Sequence, residues 1–176
     1  MKLSVIVPMY NVSAYVRECL DSLVAQTLQD MEVIMVDDGC TDDTPSIAQE
    51  YANYNMNFHL IHKKNGGLSD ARNYGKDHPE KCFVMKGLSC FEAESIQKKA
   101  LLSPMFAWNK IYRSSLFKQY DLVYPVGTWY EDIPVTTLLF AKADNIGYLP
   151  ECLMHYRQRE DSIMSSVASP RIKEIF

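Results

Sequence analysis

Apolar positions in the first part of the chain change period in a regular way. Leu3 to Val7 is an apolar, β-branched run, the pattern of a strand covered on both faces. Val12, Tyr15, Val16, Cys19, Leu20, Leu23 and Val24 then recur at three- and four-residue steps, which predicts an amphipathic helix with Ser13 as its cap. The unit repeats. Val33 to Val36 reads as a second buried strand, and Thr44-Pro45 as a cap followed by proline at the first helical position, with Ile47, Ala48 and Tyr51 on the buried face. Phe58 to Ile61 makes a third strand and Leu68 to Tyr74 a short helix after a glycine pair. Strand–helix alternation of this kind predicts an α/β fold with right-handed crossovers and a mostly parallel sheet beginning 3–2–1.

Beyond Gly75 the pattern loosens. Cys82 to Met85 reads as a fourth strand and Phe91 to Leu102 as a helix ended by Pro104. Glu131 to Ala143 reads as a helix with Val135, Leu138 and Leu139 among its apolar positions, and Ile146 to Arg157 as one or two strands. The tail from Ser162 reads as peripheral. A chain of 176 residues suits one domain, 1–176, with a sizeable core.

Three stretches sit where apolar runs end: Val7-Pro8-Met9-Tyr10-Asn11, Val36-Asp37-Asp38-Gly39-Cys40-Thr41-Asp42-Asp43-Thr44, and Asn65-Gly66-Gly67-Leu68-Ser69-Asp70-Ala71-Arg72-Asn73-Tyr74-Gly75. Loops at the carboxyl ends of parallel strands are where open α/β folds bind ligands. Pro8, Tyr10 and Asn11 bring a ring and an amide against which a base can lie. Asp37 and Asp38 supply acceptors for an imide N–H or a ribose hydroxyl. Asp42 and Asp43 fall in the first turn of the next helix, where negative charge is favoured by the macrodipole. Gly66 and Gly67 let backbone approach a ligand, while Asp70 and Arg72 fall in the following turn, where an arginine fork can meet a diphosphate or sugar. An acidic pair at a strand end also occurs in phosphoacceptor receiver domains, with Lys86 then cast as the later lysine.

Charge and cysteines narrow the classes. A net charge of −4 argues against a nucleic-acid-binding surface, which needs clustered Lys and Arg; a membrane surface and a homodimer stay compatible with it. Five widely spaced cysteines (Cys19, Cys40, Cys82, Cys90, Cys152) carry no zinc or redox spacing and read as reduced, mostly buried thiols. The apolar stretch after Met1-Lys2 stops at Pro8, too short for a signal-peptide core or a spanning helix. The cytoplasm, including the inner face of the membrane, is the expected location.

Taken in order and spacing, the three stretches resemble the amino-terminal half of family 2 glycosyltransferases of GT-A fold, which runs "VSVIVPxYN", "VDDGSTDxT", "NxGxSxARNxG", with Cys40 here where serine is usual. Trp108-Asn109-Lys110-Ile111-Tyr112-Arg113, Trp129-Tyr130-Glu131-Asp132, His155-Tyr156-Arg157-Gln158-Arg159 and Ser162-Ile163 are similar to the family's acceptor-side half. The resemblance implies a GT-A, Rossmann-like nucleotide-diphospho-sugar transferase fold, with 1–86 as the nucleotide-sugar half and 104–165 as the acceptor half. It implies that Pro8, Tyr10, Asn11, Asp37, Asp38, Gly67, Asp70 and Arg72 hold the nucleotide of a sugar donor, a UDP-sugar foremost. Asp132 is then the general base of an inverting transfer to a polysaccharide or lipid-linked acceptor. Trp108, Asn109, Lys110, Glu131, His155, Arg157 and Arg159 take the acceptor or diphosphate side. The WNK and Glu-Asp blocks disfavour the receiver reading, which needs neither.

The sequence departs from the family at one place. The strand after "ARNxG" there ends in Asp-x-Asp, which holds Mg²⁺ or Mn²⁺ against the diphosphate; here Lys86 and Gly87 stand instead, and the join between the two halves is short. No metal ligand is identified, although a diphosphate leaving group needs its charge neutralised. Three explanations follow: an internal segment absent from this sequence, a natural deletion leaving a donor-binding but non-catalytic module, or Lys86 in place of the metal.

Overall fold

The computed structural model describes residues 3–77, 90–92, 105–149, 151–155 and 157. The described residues fall into two compact units, 3–77 with 112–127, and 90–92 and 105–111 with 128 onward.

In the first unit, β1 (Leu3–Met9), β2 (Met31–Asp37) and β3 (Phe58–His62) form a parallel sheet in the order β1-β2-β3. The connecting helices are α1 (Ser13–Val24), α2 (Thr44–Tyr54) and, after β3, α3 (Leu68–Lys76). This is the 3–2–1 start that the alternation predicts. Every residue of β2 is buried, because the central strand has a layer on each side. Val33 and Met35 face Val16, Leu20 and Ala48 from α1 and α2; Ile34 and Val36 face Ala71 of α3. Side chains alternate across a strand, so one apolar run serves both layers. β1 is half-buried along most of its length, less covered than a strand enclosed on both faces.

Gly75 explains how closely α3 lies on the sheet. A Cβ there would come 2.4 Å from Ile6 Cγ2 and 3.2 Å from Val36 Cγ2. The segment 112–127, which contains α4 (Ser114–Gln119), meets α3 through Phe117, whose ring centre lies 5.8 Å from Lys76 Nζ, and through Tyr124. Asn73 holds it in the manner of a strand partner: its Nδ2 donates to the Tyr124 carbonyl and its Oδ1 accepts the Tyr124 N–H, both at 2.8 Å.

The second unit contains β4 (Cys90–Glu92), α5 (Asp132–Lys142) and β5 (Asn145–Gly147), with β4 and β5 antiparallel. Two expectations are corrected here. Phe91 opens no helix, since residues 90–92 pair with 145–147; the rest of that expected helix, 93–102, lies outside the described residues, as do the expected strand 82–85, Pro104 and the tail. The strand expected over 146–157 ends at Gly147, and 151–155 carry no regular structure. The thiols are a third correction: Cys19 and Cys152 are exposed and Cys40 half-buried. Among the described residues no helix is long and apolar enough to cross a membrane.

Candidate functional site

Parallel pairing brings the ends of β1, β2 and β3 to one edge, and the three loops leaving them are stitched together there. The ladder runs one step past each strand: Asp38 N donates to the Met9 carbonyl and Lys63 N to the Asp37 carbonyl, each at 2.9 Å. Asn11, in the left-handed region at φ 49°, points its Oδ1 at the Thr41 amide at 2.8 Å, a conformation asparagine tolerates better than most residues. Gly39 has φ +72°, and a Cβ there would meet the Asn65 amide nitrogen at 2.8 Å. The second loop can touch the third because that residue has no side chain.

Cys40 occupies the middle of this seam. Its Sγ accepts from Asn11 N at 3.3 Å and donates to the Met9 carbonyl at 3.4 Å, the two bonds a serine hydroxyl would make. Burial, then the neighbouring Asp37, push the thiol up to about 11. It is therefore a structural donor at neutral pH rather than a nucleophile.

The acidic pair is turned toward the chain. Asp37 Oδ1 accepts from Cys40 N and its Oδ2 meets His62 Nδ1, both at 2.8 Å. Burial raises its pKa, but those bonds outweigh the burial and leave the carboxyl below its usual range. Asp38, 3% exposed, accepts from Gly66 N on Oδ1 and Gly67 N on Oδ2, both at 2.9 Å, and from Lys63 Nζ on Oδ1 at 2.5 Å. The ammonium also meets Asp70 Oδ2 at 2.6 Å. Burial lowers the Lys63 pKa and the two carboxylates raise it, with a net rise.

Asp42 takes a different place from the one expected. It lies before α2 rather than within its first turn, and its two oxygens accept Ser13 N and Thr44 N, each at 3.0 Å. One carboxylate thus caps two helices. Neither expected hydroxyl cap forms: Ser13 and Thr44 are the first residues of their helices, and Thr44 Oγ1 accepts the Val12 amide instead at 2.9 Å. Burial raises Asp42, but the bonds from Thr44 and Ser13 prevail and hold its carboxyl well below the ordinary range.

The structure brings Pro8, Tyr10, Asn11, Asp37, Asp38, Gly67 and Asp70 to this edge. Tyr10 is 52% exposed, a free aromatic face at the mouth. Arg72, on α3, lies with its guanidinium 5.4 Å from the Tyr124 ring centre. Four residues went unnoticed in the sequence: His62, Lys63, Asn73 and Tyr124. A lysine after a strand reads as a solvated charge, and only the fold reveals that Lys63 faces two carboxylates.

In the second unit the WNK turn meets the start of α5. Asp132 Oδ2 accepts from Ala107 N at 3.3 Å, and Trp108 stacks on Phe106 with ring centres 5.0 Å apart. Lys110 Nζ donates to the Phe106 carbonyl at 3.0 Å and Asn109 Oδ1 at 2.7 Å. Burial lowers its pKa and the charge of Asp132 opposes that. Trp108, Asn109, Lys110, Glu131 and Asp132 are therefore near neighbours, whereas His155 and Arg157 sit on exposed irregular chain. Arg159 and Lys86 lie outside the described residues.

Among the described residues no three His, Cys, Asp or Glu side chains gather where a metal ion could sit. Asp37, Asp38 and Asp42 are each engaged by the chain and offer no divalent-cation site, and residues 86–87, where the family's Asp-x-Asp falls, lie outside the described residues.

Residues 4–78 match the family model for Glycosyl transferase family 2. EpsJ of Bacillus subtilis (strain 168), named as an uncharacterized glycosyltransferase, is 53% identical over 72 residues, 41% of this chain and 21% of that protein. EpsH of the same strain is 29% identical over 213 positions, 92% of this chain and 62% of EpsH. The chain superposes on the crystal structure of S. aureus TarS 1-349 in complex with UDP at a TM-score of 0.60 and 25% identity, covering 77% of this chain and 54% of that one. It spans less than two thirds of each of these relatives. The strand order and the TarS-like architecture give the chain a GT-A-type α/β fold, and its residues 4–78 are similar to glycosyltransferase family 2.

Proposed function

We propose that the chain serves an inverting glycosyltransferase, which moves a sugar from a nucleotide-diphospho-sugar to a polysaccharide or lipid-linked acceptor. The observation that carries this is the seam at the sheet edge, where three loops matching the family meet around Asp38 and the exposed ring of Tyr10. UDP in the superposable TarS complex favours a uridine nucleotide as the donor's handle. The work belongs at the cytoplasmic face of the membrane, where such donors are available.

The chemistry assigned to Asp132 balances simply. One carboxylate oxygen of Asp132 takes the acceptor hydroxyl proton while the hydroxyl oxygen bonds to the anomeric carbon. The bond from that carbon to the diphosphate breaks, and its electron pair leaves with the phosphate oxygen. Asp132 opens α5, and its Oδ2 accepts the Ala107 amide, which orients the carboxylate. In the family, Mg²⁺ or Mn²⁺ supplies the leaving group with countercharge.

Lys86 and Gly87 in place of Asp-x-Asp favour a second reading, a donor-binding module without turnover. Sugar transfer from a UDP-sugar panel, with and without EDTA, on the parent and Asp132→Asn separates the two. Transfer that requires Mg²⁺ or Mn²⁺ and falls on the order of 10²-fold or more in Asp132→Asn supports the enzyme. Background transfer beside intact UDP binding supports the module. Robust transfer that ignores both EDTA and Asp132→Asn would contradict the mechanism.

A further inference from the structure

We propose that Lys63 is a positioning residue for the nucleotide, locking Asp38 to the Asn65-Gly66-Gly67 turn and to Asp70 at the start of α3. The inference rests on the reading of the sheet edge as a nucleotide site and adds a residue to it. The Lys63 side chain is only 9% exposed, and its ammonium has three partners: Asp38 Oδ1, Asp70 Oδ2 and the Lys64 carbonyl at 2.7 Å. A lysine buried at this depth in a surface loop needs such a set of acceptors.

Two consequences follow from the geometry. A carboxylate offers about four acceptor positions, and Asp38 has three filled, two on Oδ1 and one on Oδ2. Lys63 and the two glycine amides thus fix the rotation of the carboxylate and leave a single acceptor position on Oδ2, which suits one N–H of a ligand. The second concerns charge. Asp38 Oδ1 and Asp70 Oδ2, at 2.5 and 2.6 Å from the same nitrogen, lie no more than about 5.1 Å apart. Without the ammonium, two carboxylates face each other and repel. The separation would drag α3, and Arg72 with it, away from the turn.

Lys63→Met removes the charge and keeps the length; Lys63→Gln is read in the same way should the Met variant not fold. Amide hydrogen exchange at Gly66 and Gly67 reports the lock without any nucleotide, and calorimetry with UDP reports its consequence. The expected result is faster exchange at both glycines and affinity for UDP about tenfold weaker, the scale of one charge-assisted hydrogen bond. Adding Asp70→Asn to Lys63→Met is expected to recover affinity to within threefold of Asp70→Asn alone, because the repulsion is gone; mere loss of packing gives no such recovery. Unchanged glycine exchange, unchanged affinity, or a double variant no better than Lys63→Met would overturn the proposal. A parent that binds no UDP would overturn the nucleotide reading and with it the ligand role of Lys63, while the exchange data would still judge the lock.

Discussion

Asp42→Ala is the substitution whose cost the structure defines most fully. The carboxylate accepts the first amide of α1 from Ser13 and that of α2 from Thr44, each at 3.0 Å, so alanine orphans a donor at two helix starts. Losing one side-chain cap costs about 1 kcal/mol, and two independent caps give about 2 kcal/mol in urea unfolding at pH 7. Acid supplies an internal control. The folded pKa lies below the unfolded value, so the stabilisation is complete above the unfolded value of 3.8 and is lost as pH falls toward the folded one. At pH 3.5 the unfolded carboxyl is about two-thirds protonated while the folded one stays ionised, and the gap between parent and Asp42→Ala should shrink by about 0.7 kcal/mol. A gap under 0.5 kcal/mol at pH 7, or one that widens in acid, would refute the shared cap.

Gly39→Ala should destabilise by about 2–3 kcal/mol, combining the left-handed backbone penalty with the push of its Cβ on the Asn65 amide; urea melts showing under 0.5 kcal/mol would dismiss the close approach. Cys40→Ser should unfold within about 0.5 kcal/mol of the parent, since a hydroxyl remakes both bonds, whereas Cys40→Val should lose at least about 1 kcal/mol. With a thiol pushed up to about 11, Cys40 should also label more slowly with iodoacetamide at pH 8 than exposed Cys152, as read by peptide mass mapping.

Local pattern made much of the first unit legible. The strands extend a residue or two beyond the apolar runs, and the helix faces hold in part: Val16, Leu20 and Ala48 are buried, whereas Tyr15, Cys19 and Val24 of the α1 pattern are exposed. Asp37, Asp38, Asn11 and Gly67 were readable because strand ends are short and polar. What local pattern lacks is partners from elsewhere in the chain. Ser13 and Thr44 look like caps in their own segments, yet Asp42 serves both helices once they lie side by side. Phe91 has a helical neighbourhood in sequence and a strand partner at Ile146 in space. Lys63 is one lysine among several until β3 sets it beside Asp38. Asn73 belongs to a motif whose visible residue is Arg72, and its role, holding Tyr124, needs the far segment in place.

The central claim, that the three strand-end loops form a nucleotide site, is tested most directly by calorimetry of the folded chain with UDP, GDP and CDP, repeated on Tyr10→Ala. Tyr10 is half exposed and supports none of the seam bonds described here, so its loss should spare the fold and remove only the ring on which a base lies, a contact of about 1–3 kcal/mol. The account predicts saturable binding of UDP that weakens about tenfold in Tyr10→Ala with an unchanged melting temperature; no heat with any of the three nucleotides, or identical titrations for parent and variant, would contradict it.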